Sequence, residues 1–163
     1  MPNLIVMHDE PSPYATCPEC HTRLDLPSLD GARWTIRSPA DIYNRILLEM
    51  VNIEQEELRV LVLNTKNVVL KMVTVYRGNI SSAICRVGEL YRDAVRLNAS
   101  SIITLHQHPS GSPEPSAEDL HLASVTLAAG RLLDIQLLDS VIVATDGFVS
   151  LRDRGVAFDR PAR

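Results

Sequence analysis

The sequence predicts an α/β fold of the layered α+β kind, a mixed sheet flanked by helices with a short N-terminal arm. Three observations predict it. Segments of helical period alternate with short branched-apolar runs in the order helix, two strands, helix, strand, helix, two strands. The chain has 163 residues, enough for one domain with an appendage and for a core that needs no disulfides. Apolar residues make up 45% and charged residues 22%, the balance of an ordinary globular protein.

Residues 1–35 are rich in Pro, Asp and Ser and show no sustained period, which predicts an irregular arm ahead of a domain over 36–163. In "IRSPADIYNRILLEM", Ser38 is an N-cap, Pro39 suits the first helical position and Asp41 favours the positive helix end. Ile42, Ile46 and Leu47 follow at helical spacing, giving a helix over about 39–51. "ELRVLVLNTKNVVLKMVTVYRG" reads as two strands joined at Asn64-Thr65-Lys66-Asn67. "VGELYRDAVRLN" is an amphipathic helix with Leu90, Ala94, Val95 and Leu97 on its apolar side. "SSIITLH" is a short buried strand, and 116–132 is a helix opened by Ser116 and stopped near Gly130. "DSVIVATDGFVSLRD" is a closing hairpin that turns at Asp146-Gly147.

A net charge of −4 gives no bulk electrostatic case for nucleic acid or an anionic membrane. Arg86, Arg92 and Arg96 could share part of a helix face, but Glu89 and Asp93 dilute them, so a solvated face is expected. The N-terminus lacks a basic region followed by a long apolar run, and no apolar stretch approaches the roughly 20 residues that span a bilayer. Three cysteines, an odd number, suit a reducing compartment better than a disulfide framework. Together these point to a cytoplasmic protein without membrane contact.

The chemistry concentrates in "LHQHPSGSPEPSAED", residues 105–119. His106 and His108, at i and i+2 near a strand end, project to the same side and can converge on one ion. Two imidazoles and a carboxylate suit zinc, and Asp119 in the first turn of the next helix is the natural third ligand. Pro109, Pro113 and Pro115 stiffen the connection, and Gly111 lets it turn tightly. The same Ser116-Ala-Glu-Asp119 run is equally a plain helix start, a capping serine followed by acidic residues.

The run His106-x-His108-Pro109, Ser116, Asp119 resembles the zinc signature of the JAB/MPN (JAMM) metalloprotease superfamily. The form "HPSGSPEPSAED" is similar to its bacterial RadC-like branch, long labelled DNA repair proteins. "IRSPADIYNRILLEM", "QEELRVLVLNTKN", "LNAS" and "LLDSVIVATDGFVSLRDRG" resemble that branch in order, over about residues 36–155. The chain departs from the branch's habit at Gln107 and Ser140, neither of them a ligand. The helix–hairpin–helix segment often found ahead of the domain does not fit in residues 1–36, which weakens any expectation of DNA binding.

The resemblance implies a cytidine-deaminase-like mixed sheet and a zinc-dependent peptidase or isopeptidase with His106, His108 and Asp119 as ligands. It also implies a glutamate at the first core strand as general base, and here Glu56 and Glu57 are the candidates. The branch pattern selects Glu56, and side-chain parity agrees, because Glu56 shares a face with Leu58, Val60 and Val62. Glu57→Gln is then expected to be nearly silent. Ser116 matches the serine that assists the oxyanion, while Ser110 orders the loop.

"TCPECH" poses a separate question. Cys17-x-x-Cys20-His21 spells a c-type haem attachment site, but such attachment needs export. A structural zinc knuckle on Cys17, Cys20 and His21, with His8 or a second chain completing the site, is the better reading, and a remnant turn is its alternative. Cys85 is expected to be a buried apolar residue. For the whole chain three functions compete: a zinc peptidase on a protein or peptide substrate, a non-enzymatic factor in DNA repair or recombination, and a zinc hydrolase of a phosphodiester or small amide. Direct DNA contact by this chain alone is not expected, and a homodimer is the candidate assembly.

Overall fold

The computed structural model describes residues 14–16, 23–25, 34–50, 53–78 and 85–158. The chain divides into two compact units, Met1–Ala32 and Arg33–Arg163. In the first, β1 (Tyr14–Thr16) and β2 (Arg23–Asp25) pair antiparallel, with Thr16 opposite Arg23. The sequence reads this stretch as irregular, and the pair corrects that reading: three-residue strands are too short for a period-two pattern to register.

The second unit is built on a five-stranded mixed sheet in the order β4-β3-β5-β6-β7. Helix α1 (Pro39–Met50) begins at a reciprocal cap. The Asp41 amide donates to Ser38 Oγ at 3.3 Å, and the Asp41 carboxylate accepts from the Ser38 amide at 2.9 Å. Strands β3 (Glu57–Leu63) and β4 (Val69–Arg77) form the expected hairpin. Its turn is held by Asn64 Oδ1, which accepts from the amides of Lys66 and Val68, while Asn67 takes the left-handed conformation that asparagine tolerates, at φ 55°. Helix α2 (Val87–Arg96) leads to β5 (Ser101–Gln107), helix α3 (Ala117–Leu133) crosses over to β6 (Gln136–Ala144), and β7 (Gly147–Ser150) ends the sheet. The last hairpin closes with Ala144 opposite Gly147, so its two loop residues are Thr145 and Asp146, one position earlier than expected.

Strand alternation sorts the core onto two faces. Leu61, Leu63, Ile103, Leu105, Val141 and Val143 pack with Ile42, Ile46 and Met50 of α1. Leu58, Val60, Val62, Ile102 and Leu137 pack with Leu90, Tyr91 and Ala94 of α2 and Leu122 of α3. Burying each large aliphatic side chain contributes about 1.5–3 kcal/mol.

Two helix readings change. Val95 is 55% exposed rather than part of the apolar side of α2; Tyr91 occupies the core instead, its hydroxyl donating to the Thr126 carbonyl at 2.9 Å. Gly130 does not stop α3. The helix runs on to Leu133, and Asp134 caps it in the left-handed region at φ 55°. Gly130 is there for close approach: a Cβ at this position would lie 2.5 Å from both the Tyr91 hydroxyl and the Ile135 carbonyl. Gly130→Ala is therefore expected to lose about 1–3 kcal/mol of stability to overpacking, despite alanine's better helix propensity. Urea unfolding checks this, and an unchanged or raised midpoint would contradict the tight packing. No described helix is long and apolar enough to cross a membrane.

Candidate metal centre

The parallel β5–α3–β6 crossover brings the end of β5 against the start of α3, so the residues before and after the proline loop meet. His106 is the penultimate residue of β5 and 7% exposed. His108 lies one residue beyond the strand, yet its amide still donates to the Val143 carbonyl of β6 at 2.9 Å, so its backbone remains tied to the sheet. The two imidazoles meet edge to face with centroids 4.6 Å apart. Asp119, 6% exposed, reaches them from the first turn of α3. One ligating atom from each of His106, His108 and Asp119 falls within 4.8 Å of the others, so the three residues expected as ligands do converge.

The surrounding hydrogen bonds orient this set. His108 donates Nδ1–H to the Ser112 carbonyl at 3.1 Å, which turns Nε2 toward Asp119, 3.4 Å from Oδ2. His106 Nδ1 is hydrogen-bonded to Asp119 Oδ1. Its Nε2 is buried and, among the described residues, has no hydrogen-bond partner; it lies 3.9 Å from Glu56 Oε2. Ser116 caps α3 reciprocally: its amide and Oγ each donate to Asp119 Oδ2 at 2.7 Å, and Oγ accepts from the Asp119 amide at 3.1 Å. The plain helix start and the convergent carboxylate are thus one device.

Burial pushes the Asp119 carboxyl upward, but hydrogen bonds from His106 and His108, the His106 charge and the Ser116 hydroxyl together hold it well below the usual carboxylate range. The hydrogen bond to Asp119 raises His108 above the ordinary imidazole value against the opposing effect of its burial. Two imidazoles and an ionised carboxylate around an orphaned buried nitrogen form a donor set that fits a zinc ion.

Glu56 is brought to this set and Glu57 is not. The β3–β5 ladder places Leu58 opposite His106, so Glu56, two residues earlier, comes level with the histidine end of β5. Glu57 turns to the other face and is fully buried, bonded to Arg59 Nε at 2.7 Å and Arg77 Nε at 2.5 Å. Glu57 is therefore not a solvated residue at the strand entry; it is the hub of an internal ion network that also draws in Glu49 through Arg59.

A cleft of about 320 Å³ opens over the site, lined by Glu56, His106, His108, Ser116 and Asp119 together with Pro109, Ser110, Glu118 and Leu122. Glu118 and Leu122 escaped the sequence reading, because a spacing of four puts them on one helix face without saying what that face meets. The loop forming one wall is strapped in place: Arg154 grips Glu114 with two 2.7 Å bonds, and the Asp146 amide donates to the Gly111 carbonyl at 3.1 Å. A larger cavity of about 710 Å³, lined by Ser100, Gln136, Arg131 and Arg152 among others, sits where β5 and β6 begin, at the opposite end of these strands. Cys85 is half-buried against the core, and burial pushes its thiol upward, as suits an apolar role. Cys17, Cys20, His21 and His8 lie outside the described residues.

A family model, the RadC-like JAB domain, matches residues 36–156. A UPF0758 protein of Chloroflexus aurantiacus is 48% identical over 127 residues, which cover 78% of this chain and 56% of that protein. A UPF0758 protein of Roseiflexus castenholzii is 46% identical over 129 residues, covering 79% and 55%. One of Clostridium botulinum is 37% identical over 125 residues, covering 77% and 55%. The chain spans little more than half the length of these relatives.

Proposed function

Because the chain belongs to the RadC-like JAB domain family, within the JAB/MPN superfamily, we propose that it is a zinc-dependent metallohydrolase of the JAMM type, a peptidase or isopeptidase acting on a protein or peptide. The observation that carries the reading is the convergence of His106, His108 and Asp119, with the unpartnered Nε2 of His106 facing the Glu56 carboxylate. A zinc ion held by those three residues would polarise a carbonyl and acidify water.

The chain's own groups divide the remaining work. Glu56 is the proton acceptor and relay, placed at the cleft wall with its side chain one-third exposed. Ser116 Oγ lies at the same wall; its O–H donates to Asp119 Oδ2, and with that carboxylate engaged by an ion the hydroxyl would turn to the oxygen that gains charge. The Ser112 carbonyl fixes the His108 tautomer. Pro109 and Leu122 supply the apolar lining that limits water around the reacting amide.

Metal analysis of the purified full chain tests this. About one zinc per chain is expected at His106, His108 and Asp119, and His108→Ala should remove it while the fold, read by circular dichroism, is kept. Any ion that survives that substitution is assigned to Cys17, Cys20 and His21, and should disappear with Cys17→Ser. Metal content unchanged by His108→Ala alone would refute the ligand set.

A further inference from the structure

The cleft holds a recognition element that hydrolysis itself does not use. Glu118 and Leu122 both line it and, four residues apart on α3, stand on one helix face. Leu122 is 8% exposed and packs in the core cluster that contains Leu58, so it forms a fixed apolar floor. Glu118 is exposed at the rim. The floor leads to the reacting centre, because the buried and unpartnered Nε2 of His106 belongs to the same cleft.

With His106 and His108 neutral, as metal ligation requires, the charged side chains of this cleft have one sign. Glu56, Glu118 and Asp119 contribute carboxylates, and among the described residues no lysine or arginine lines it. Arg154, bonded to the loop that forms one wall, is engaged by Glu114 through both arms of its guanidinium. Three carboxylates outweigh even a bound dication. A phosphodiester or other anionic substrate would be repelled, whereas a long side chain with an aliphatic stem and a cationic head meets both of its needs.

We propose that Leu122 and Glu118 form a specificity subsite for a lysine or arginine side chain of a peptide whose adjacent amide is hydrolysed. The stem lies along Leu122 and the head pairs with Glu118. This inference rests on the peptidase reading above and names its substrate class.

The test uses the full chain loaded with cobalt(II), whose visible absorption reports occupation of the metal site without turnover. The probes are the hydroxamates of N-acetyl-lysine, N-acetyl-norleucine and N-acetyl-glutamate. Lysine hydroxamate is expected to bind roughly three- to thirtyfold more tightly than the norleucine compound, the scale of one partly exposed charge-assisted contact, and the glutamate compound most weakly. Glu118→Gln should bring the lysine compound to the norleucine level, and Glu118→Lys should reverse the lysine–glutamate order with cobalt content unchanged. Equal affinity for all three compounds, or an order untouched by Glu118→Lys, overturns the subsite. The expected order with no cleavage of any lysine- or arginine-containing peptide by the zinc form upholds the subsite while the peptidase reading falls. Failure of all three compounds to bind cobalt-loaded protein overturns both.

Discussion

Glu56→Gln is expected to leave zinc content and melting temperature unchanged and to lower turnover by about two to four orders of magnitude, the usual worth of a positioned general base. The geometry gives the reason. Glu56 stands just before β3, where the ladder carries its side chain to the cleft and its Oε2 to 3.9 Å from His106 Nε2. Its own carbonyl accepts from the Gly78 amide at 2.9 Å, so the backbone beneath it is anchored to the end of the neighbouring strand. Glutamine keeps the shape and can still accept a hydrogen bond, but it cannot take a proton at neutral pH. Hydrolysis of a generic peptide, followed beside metal content, decides the matter: turnover within a fewfold of wild type would remove Glu56 from the base role.

The adjacent residue should give the opposite phenotype. Glu57→Gln is expected to destabilise the fold by about 3 kcal/mol, the low end for breaking a buried ion pair, and so to lower the melting temperature by roughly 6–12 °C. Glu57 is fully buried and receives both Arg59 and Arg77. Arg77 is largely exposed and can find water, and Arg59 retains Glu49 at 3.3 Å, which is why the low end applies. Arg59 itself is buried and would lose its closest counter-charge. Thermal unfolding of the two variants side by side separates the neighbours: the Glu56 variant should melt like wild type, the Glu57 variant well below it. A Glu57→Gln protein that melts within a degree or two of wild type would show that Arg59 and Arg77 are satisfied without this carboxylate.

Much of the centre was legible before any coordinates. His106 and His108 share strand parity, Asp119 sits at a helix start that Ser116 announces, and a loop stiffened by three prolines joins them; each is a local pattern with a local physical cause. The choice between Glu56 and Glu57 was half legible. Parity put them on opposite faces, but which face meets the histidines depends on the ladder between β3 and β5 that sets Leu58 opposite His106, two positions far apart in the chain. That Glu57 is a buried hub could not be read at all, since its partners come from within its own strand and from the far end of the next one, and an acidic residue at a strand entry is ordinarily solvated.

By itself the sequence determined the element order from α1 to β7, the strand–loop–helix unit that carries His106, His108 and Asp119, and the convergence of those three side chains. These rest on periodicity, capping and turn chemistry, interactions that span a few residues and are therefore written in consecutive letters. Tertiary structure alone decided that Gly130 is a packing contact for Tyr91 rather than a helix stop, that Val95 faces outward, and that Glu118 and Leu122 share the cleft with the histidines. Each of these depends on which surface of one element meets another, and the distances involved are set by the sheet order and by close packing across it, quantities that no short window of sequence contains.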